Sequence, residues 1–235
     1  STRSVTLADL DGDGDIDAIV TNRGMENGIY LNEGDGSFGP KRSFGTSDDS
    51  TISLAIADIN GDGLPDLVLA NRDGQPNFVY LNDDTLSFDT ALPYGTGSDE
   101  TRAVAAADMN SDGHLDLVTA NIGEANGIYF GDGTGSLDQG VAFGADDGLS
   151  YDLEVVDLDN DGDLDIVIGN VRSQNVAFFN DGTGINFEEV RFGSPEDITY
   201  GVGVGDVNGD GFPDIGVANS DGLNGIHISR PSRNQ

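Results

Sequence analysis

A nine-residue acidic stretch that returns five times at nearly fixed spacing constrains this chain more than any other feature. Its first copy places Asp9, Asp11, Asp13, Asp15 and Asp17 at alternate positions; the second carries Asp58, Asn60, Asp62, Leu64 and Asp66 there. The third has Asp108, Asn110, Asp112, His114 and Asp116, the fourth Asp157, Asp159, Asp161, Asp163 and Asp165, and the fifth Asp206, Asn208, Asp210, Phe212 and Asp214. Starts at residues 9, 58, 108, 157 and 206 give a period of 49 or 50 residues, the signature of a propeller or array of supersecondary units.

Within each copy, side-chain oxygens stand at positions 1, 3, 5 and 9, and glycine stands at position 6, where the loop must turn sharply. Calcium takes six to eight oxygen ligands, so a loop pointing several carboxylates inward is a calcium cage. Position 7 can serve through its backbone carbonyl, which explains why Asp15, Leu64, His114, Asp163 and Phe212 differ in type. An EF-hand would place Glu at position 12 between helices. Here that position holds Val20, Leu69, Thr119, Ile168 and Val217, and the apolar, β-branched flanks make each loop a connection between strands. Asp, Asn and Gly are also ordinary turn formers, but five copies in one register argue for the metal. The expectation is five Ca²⁺ sites.

The net charge of −33 sets 43 acidic residues against nine Arg and one Lys. Such a surface repels nucleic acid phosphates and anionic membranes, which excludes both as partners. Acidity also suits a salty medium, where charge is strongly screened. Without cysteine the fold uses metal rather than disulfide as its staple. No apolar run approaches the length of a membrane span, and because the sequence opens at Ser1 without a signal peptide, a processed or excised piece is expected. Loops of modest calcium affinity fill outside the cell, so a secreted or surface location is expected.

Before each loop lies a strand with strict alternation. Val5/Leu7, Leu54/Ile56, Val104/Ala106, Leu153/Val155 and Val202/Val204 share one side, and mostly small residues such as Ala55/Ala57 and Gly203/Gly205 share the other. These small residues read as the channel-facing side of an innermost propeller strand, where Glu154 is a lone carboxylate. After each loop comes a continuous apolar run, read as a strand buried on both faces. It ends at Asn22, Asn71, Asn121, Asn170 or Asn219, and a second Asn follows at 27, 77, 126, 175 or 224. Asn could bind sugar, but Asx-turns are the simpler reading. A third strand, a Gly-rich hairpin turn and a fourth strand, from Phe38, Phe88, Leu137 or Phe187 onward, complete each unit, the aromatics reading as blade-to-blade core.

Four antiparallel strands repeated radially make an all-β, β-propeller domain spanning 1–235, with five blades and a truncated last one. The ring either closes with a three-stranded blade or belongs to a longer array; five near-identical units, which must bury both end faces, favour closure. The Asp-x-(Asp/Asn)-x-Asp-Gly-x-x-Asp loop, the apolar strand ending in Asn and the Tyr-Leu-Asn strand resemble the VCBS/FG-GAP repeats of the integrin α-subunit propeller and integrin-like lectins. That resemblance implies calcium on one face and adhesion or carbohydrate recognition elsewhere. It differs from integrins in blade number and in lacking a Gly-Ala-Pro segment, so integrin ligand contacts are not carried over.

Three function classes compete: a lectin- or adhesin-like binding module for carbohydrate or a surface protein, a structural spacer in a larger surface protein, and a glycosidase. The carboxylates are largely committed to metal and no Ser-His or Cys-His pair exists, so a non-enzymatic binding module is expected. On the face opposite the calcium loops, the residue six before each first Asp is Arg3, Ile52, Arg102, Tyr151 or Tyr200. Planar donors and rings at a rim suit recognition, which makes Arg102, Tyr151 and Tyr200 the candidate ligand site for a saccharide or acidic polymer.

Overall fold

The computed structural model describes residues 1–146 and 148–229 as five consecutive antiparallel sheets. The first blade comprises β1 (Thr2–Ala8), β2 (Asp17–Asn22), β3 (Asn27–Tyr30) and β4 (Arg42–Phe44). The second has β5 (Thr51–Ala57), β6 (Asp66–Asn71), β7 (Asn77–Leu81) and β8 (Thr90–Tyr94). The third has β9 (Thr101–Ala107), β10 (Asp116–Asn121), β11 (Asn126–Phe130) and β12 (Gln139–Phe143). The fourth contains β13 (Ser150–Val156), β14 (Asp165–Asn170), β15 (Asn175–Asn180) and β16 (Phe187–Phe192); the last is three-stranded, with β17 (Thr199–Gly205), β18 (Asp214–Asn219) and β19 (Gly225–His227). Among the described residues no helix is long and apolar enough to cross a membrane.

Because paired residues in adjacent strands share a side, each blade has one face toward the preceding blade and one toward the next. Ile19, Ile29 and Phe44 of the first blade pack on Leu54, Leu67, Leu69 and Tyr80 of the second. Val68, Val79 and Tyr94 then meet Val104, Leu117 and Tyr129, and Val118, Ile128 and Phe143 meet Ile166, Ile168 and Phe178. Val167 and Ala177 meet Ile215 and Val217. The core is therefore four inter-blade layers rather than one centre. Strands β6, β10 and β14 are buried at every residue, as a continuous apolar run between two neighbours requires.

The small residues of the inner strands are not channel-lining. Ala55 and Ala57 pack in the layer between blades two and three, and Ala103, Ala105 and Ala107 in the layer between three and four. The face of a blade looks at its neighbour and only a strand edge looks at the axis, so small side chains act as spacers that let the next blade approach.

The expected ring closure is likewise corrected. Leu54, Val104 and Leu153 are 8, 8 and 7% exposed, whereas Val5 and Leu7 on the equivalent side of β1 are 58 and 64% exposed. Strands β1, β5, β9, β13 and β17 each pack on the next, but β1 and β17 do not pack on each other in the same way. Phe38 shares the open side of blade one and is half exposed, while its counterparts Phe88 and Leu137 are buried. The sequence alternation specified which residues would seek cover; it could not specify whether a neighbour stood there.

The Asn pairs are structural. The backbone N–H of Asn71 donates to Asn77 Oδ1, its Nδ2 donates to the Pro76 carbonyl, and Asn77 Nδ2 reaches Thr101 Oγ1 of the next blade at 2.9 Å. Asn27 to Thr51 and Asn175 to Thr199 repeat that clasp at 3.1 Å. Truncating a mated knob leaves a cavity, whereas an open knob already meets water. Leu54→Ala is therefore expected to cost about 2–4 kcal/mol in urea unfolding and Leu7→Ala less than about 0.5; similar losses for both would mean that blade one is covered.

Candidate functional site

The five acidic loops share one hydrogen-bond frame. The position-1 carboxylate accepts the N–H of the position-6 glycine in every copy: Gly14 to Asp9, Gly63 to Asp58, Gly113 to Asp108, Gly162 to Asp157 and Gly211 to Asp206, at 2.8–3.0 Å. Each of those glycines has φ between 88 and 101°, a left-handed conformation that favours glycine. The position-5 carboxylate accepts the position-7 N–H, as Asp13 does from Asp15 and Asp62 from Leu64.

Position 9 has a second task that sequence spacing did not reveal. Asp17, Asp66, Asp116, Asp165 and Asp214 are at most 1% exposed. Each holds two backbone donors with its two oxygens: the position-2 N–H (Leu10, Ile59, Met109, Leu158, Val207) and an N–H at or just past the end of the third strand (Asn32, Asn82, Gly131, Asn180, Ser229). One carboxylate thus pins loop, second strand and hairpin together. Position 7 adds a contact, because Asp15, His114 and Asp163 lie against the turn glycines Gly34, Gly133 and Gly182.

The donor set fits a hard cation. Carboxylate oxygens of Asp9, Asp11 and Asp17 lie within 4.8 Å of one another, as do those of Asp157, Asp159 and Asp161. The second, third and fifth loops substitute Asn60, Asn110 and Asn208, whose amide oxygens keep the set all-oxygen. Burial pushes the carboxyl of Asp165 up to about 6, and burial is also the chief cause that raises Asp66 and Asp116.

On the opposite face, every inner strand carries a bulge. The ladder to the second strand skips one residue between Thr2 and Ser4, Thr51 and Ser53, Thr101 and Ala103, Ser150 and Asp152, and Thr199 and Gly201. The skipped residues are Arg3, Ile52, Arg102, Tyr151 and Tyr200. A bulge re-aims its side chain out of the alternation. Three of the five converge: the Arg102 guanidinium carbon sits 4.3 Å over the Tyr151 ring, and the Tyr151 and Tyr200 rings are 4.9 Å apart. Arg102 Nη2 lies 3.3 Å from the Tyr151 hydroxyl, and Tyr200 remains 52% exposed. Burial, and next the nearby Arg72, hold the Arg102 guanidinium below the usual arginine range, although it stays charged. Arg72 and Arg23 are paired with Glu100 and Asp73; Arg102 has no carboxylate partner among the described residues. Glu154 gains a neighbour that sequence reading did not give it, since Asp152 is close enough to raise its carboxyl after burial does. Asp152 itself is committed to the Val202 N–H at 2.8 Å.

The FG-GAP-like repeat matches this chain four times, over residues 9–69, 58–119, 108–168 and 157–217. No curated protein matches. Among solved structures, BBS1N in complex with ARL6DN, soaked with mercury, is similar at 12% identity over 98% of this chain and 69% of that chain, with a TM-score of 0.64. The V. cholerae biofilm matrix protein Bap1 is similar at 19% identity over 91% of this chain and 34% of its own, TM-score 0.54. YCF48 from Cyanidioschyzon merolae is similar at 10% identity over 97% and 69%, TM-score 0.54. At these identities the likeness is one of fold.

The raised carboxyls generate a pH signature for metal-free protein. The folded pKa values of Asp66, Asp116 and Asp165 lie above the unfolded value of 3.8, so their stabilising contribution is complete below that value and is lost as pH rises through the folded values, about 6 for Asp165. Groups lowered by hydrogen bonding, such as Asp35 and Asp132, act in the acid range below that window. In chelator, the melting temperature should therefore rise between pH 7 and pH 5; a flat or falling profile would show that the position-9 carboxylates are not destabilised by charge.

Proposed function

This chain belongs to the FG-GAP-like repeat family, and from that premise we propose that it acts as a calcium-loaded extracellular recognition module of lectin or adhesin type. Calcium is held in the five acidic loops on one face, while the opposite face docks a saccharide or acidic polymer at Arg102, Tyr151 and Tyr200. The observation that carries the reading is the convergence of those three side chains. They come from three blades, stand at positions that vary between repeats, and bring together a carboxylate-free guanidinium and an accessible ring. Arg supplies charge and planar donors, and tyrosine stacks on the apolar face of a pyranose. Fold relatives used as a biofilm matrix protein and in a complex with ARL6DN support a binding role for such an architecture. A non-catalytic role is part of this reading; Asp152 accepts the Val202 N–H beside Glu154, which supports a structural use of that carboxylate.

Calcium is the structural half of this proposal. Each loop crowds carboxylates that a hard divalent cation would neutralise. With a dissociation constant of about 0.1 mM and about 10 mM free calcium, one site adds about 2.7 kcal/mol and five add at most about 13, comparable with the stability of a whole domain. Excess EDTA should therefore lower the melting temperature sharply, magnesium should rescue it poorly, and an unchanged melt would refute a structural metal. Damage should stay local: Asp13→Ala should remove one ion while the other loops keep theirs, because repeat units contact mainly their neighbours.

The recognition half is tested by replacing Arg102, Tyr151 and Tyr200 together by Ala. Binding on a glycan array, or to acidic polysaccharide, should disappear while calcium stoichiometry and melting temperature stay as they were. Survival of binding in the triple variant moves the site elsewhere, and turnover of polysaccharide would favour an enzyme instead.

A further inference from the structure

The second and fifth acidic loops carry an Asn-Gly pair that the other three lack. Five such pairs occur in the chain, at 27–28, 60–61, 126–127, 208–209 and 224–225. Asparagine before glycine is chemically labile, because a glycine backbone nitrogen, unshielded by a Cβ, can reach the side-chain carbonyl carbon. Whether it does so depends on what holds the two residues, and the fold sorts the five pairs into two groups.

Three pairs open third strands. Asn27, Asn126 and Asn224 each accept, through Oδ1, the N–H of the asparagine that ends the second strand, at 2.8–2.9 Å. Gly28, Gly127 and Gly225 lie in the sheet ladder opposite Val20, Thr119 and Val217. Asn27 is buried and also donates to Thr51 of the next blade, and the Gly127 N–H is committed to Thr119 Oγ1 at 3.2 Å. Ladder and clasp together keep the side-chain carbon away from the glycine nitrogen.

The other two pairs occupy positions 3 and 4 of their loops. Asn60 accepts the Asp62 N–H at 3.0 Å and donates to Asp62 Oδ2 at 2.9 Å; Asn208 accepts the Asp210 N–H at 2.8 Å. These partners belong to the same loops, so the side chains are held only as firmly as the loops themselves. Gly61 and Gly209 are exposed, in left-handed turns at φ 73 and 77°. The Gly209 nitrogen stands 2.7 Å from Asp206 Oδ1, an oxygen placed to take its proton. The third loop is an internal comparison. Asn110 makes the bonds of Asn60, to the Asp112 N–H at 3.1 Å and to Asp112 Oδ2 at 3.0 Å, but Ser111 follows it at φ 57° and its Cβ shields the nitrogen.

We propose that Asn60 and Asn208 are sites of self-deamidation, guarded by the cation of their own loops. The glycine nitrogen attacks Cγ, the Cγ–Nδ2 bond breaks, and ammonia leaves with the proton of the backbone amide. Water then opens the succinimide. Opening at the side-chain carbonyl gives aspartate, the residue that the first and fourth loops already carry as Asp11 and Asp159. Opening at the main-chain carbonyl gives isoaspartate, which lengthens the backbone by one carbon and spoils the cage. A cation held by Oδ1 pins the side chain, whereas an empty loop lets it turn, so conversion records time spent without metal. The guarding step rests on the calcium reading given above.

The test incubates the protein at neutral pH, below the melting temperature of its metal-free form, in excess calcium chloride or in EDTA. Peptide mass mapping and bound calcium are measured on the same samples. In EDTA the peptides bearing Asn60 and Asn208 should gain the mass that exchanges NH₂ for OH, while Asn27, Asn110 and Asn126 stay intact. In calcium the conversion should slow at least about tenfold, the factor that about 1.4 kcal/mol of added barrier supplies. Gly209→Ser, whose Cβ meets nothing within 4 Å and which copies blade three, should protect Asn208 in EDTA and leave Asn60 converting. Intact Asn60 and Asn208 in EDTA, or clasped asparagines converting as fast, would overturn the proposal. Samples that bind no calcium refute the reading on which guarding rests; loaded samples that convert at the EDTA rate refute guarding alone.

Discussion

The structure depends on a buried aspartate that accepts two backbone donors at once to hold each blade together. Asp17, Asp66, Asp116, Asp165 and Asp214 each close the acidic loop at its second residue and tie it to the end of the third strand. A neutral amide there would lose an acceptor, and an apolar residue would orphan two buried N–H groups. The carboxylate therefore stays despite its burial, which raises Asp66, Asp116 and Asp165, and neighbouring carboxylates of the same loop add repulsion. A divalent cation, if bound as proposed, would convert that cost into attraction.

From that clamp the two ends of each blade diverge in role. At the loop end, chemistry is repeated: the same oxygens accept the same N–H groups in all five copies. At the other end, one bulge per inner strand frees a side chain from the alternation that dictates burial. A residue outside the ladder is not chosen by inter-blade packing and can vary, which is why Arg3, Ile52, Arg102, Tyr151 and Tyr200 differ while Thr2, Thr51, Thr101, Ser150 and Thr199 keep a hydroxyl for the Asn clasp. Repetition builds the scaffold, and the bulge positions are where residue type departs from it.

The sequence by itself determined the repeat, the strand order, the loop geometry and the structural use of the Asn pairs, because each follows from local spacing: alternation of two, glycine at a left-handed position and Asx-type bonding within a few residues. It also marked Arg102, Tyr151 and Tyr200 as variable within a fixed frame. Tertiary structure alone decided which neighbour each side faces. Ala55 and Ala57 proved to be spacers between blades because a blade presents its faces to its neighbours and only its edge to the axis. Val5 and Leu7, as apolar as Leu54 and Ile56, stand open because cover depends on residues far away in the chain. The contact of Arg102 with Tyr151 arises between blades about 50 residues apart in a periodic chain, a distance over which local pattern carries no information about packing.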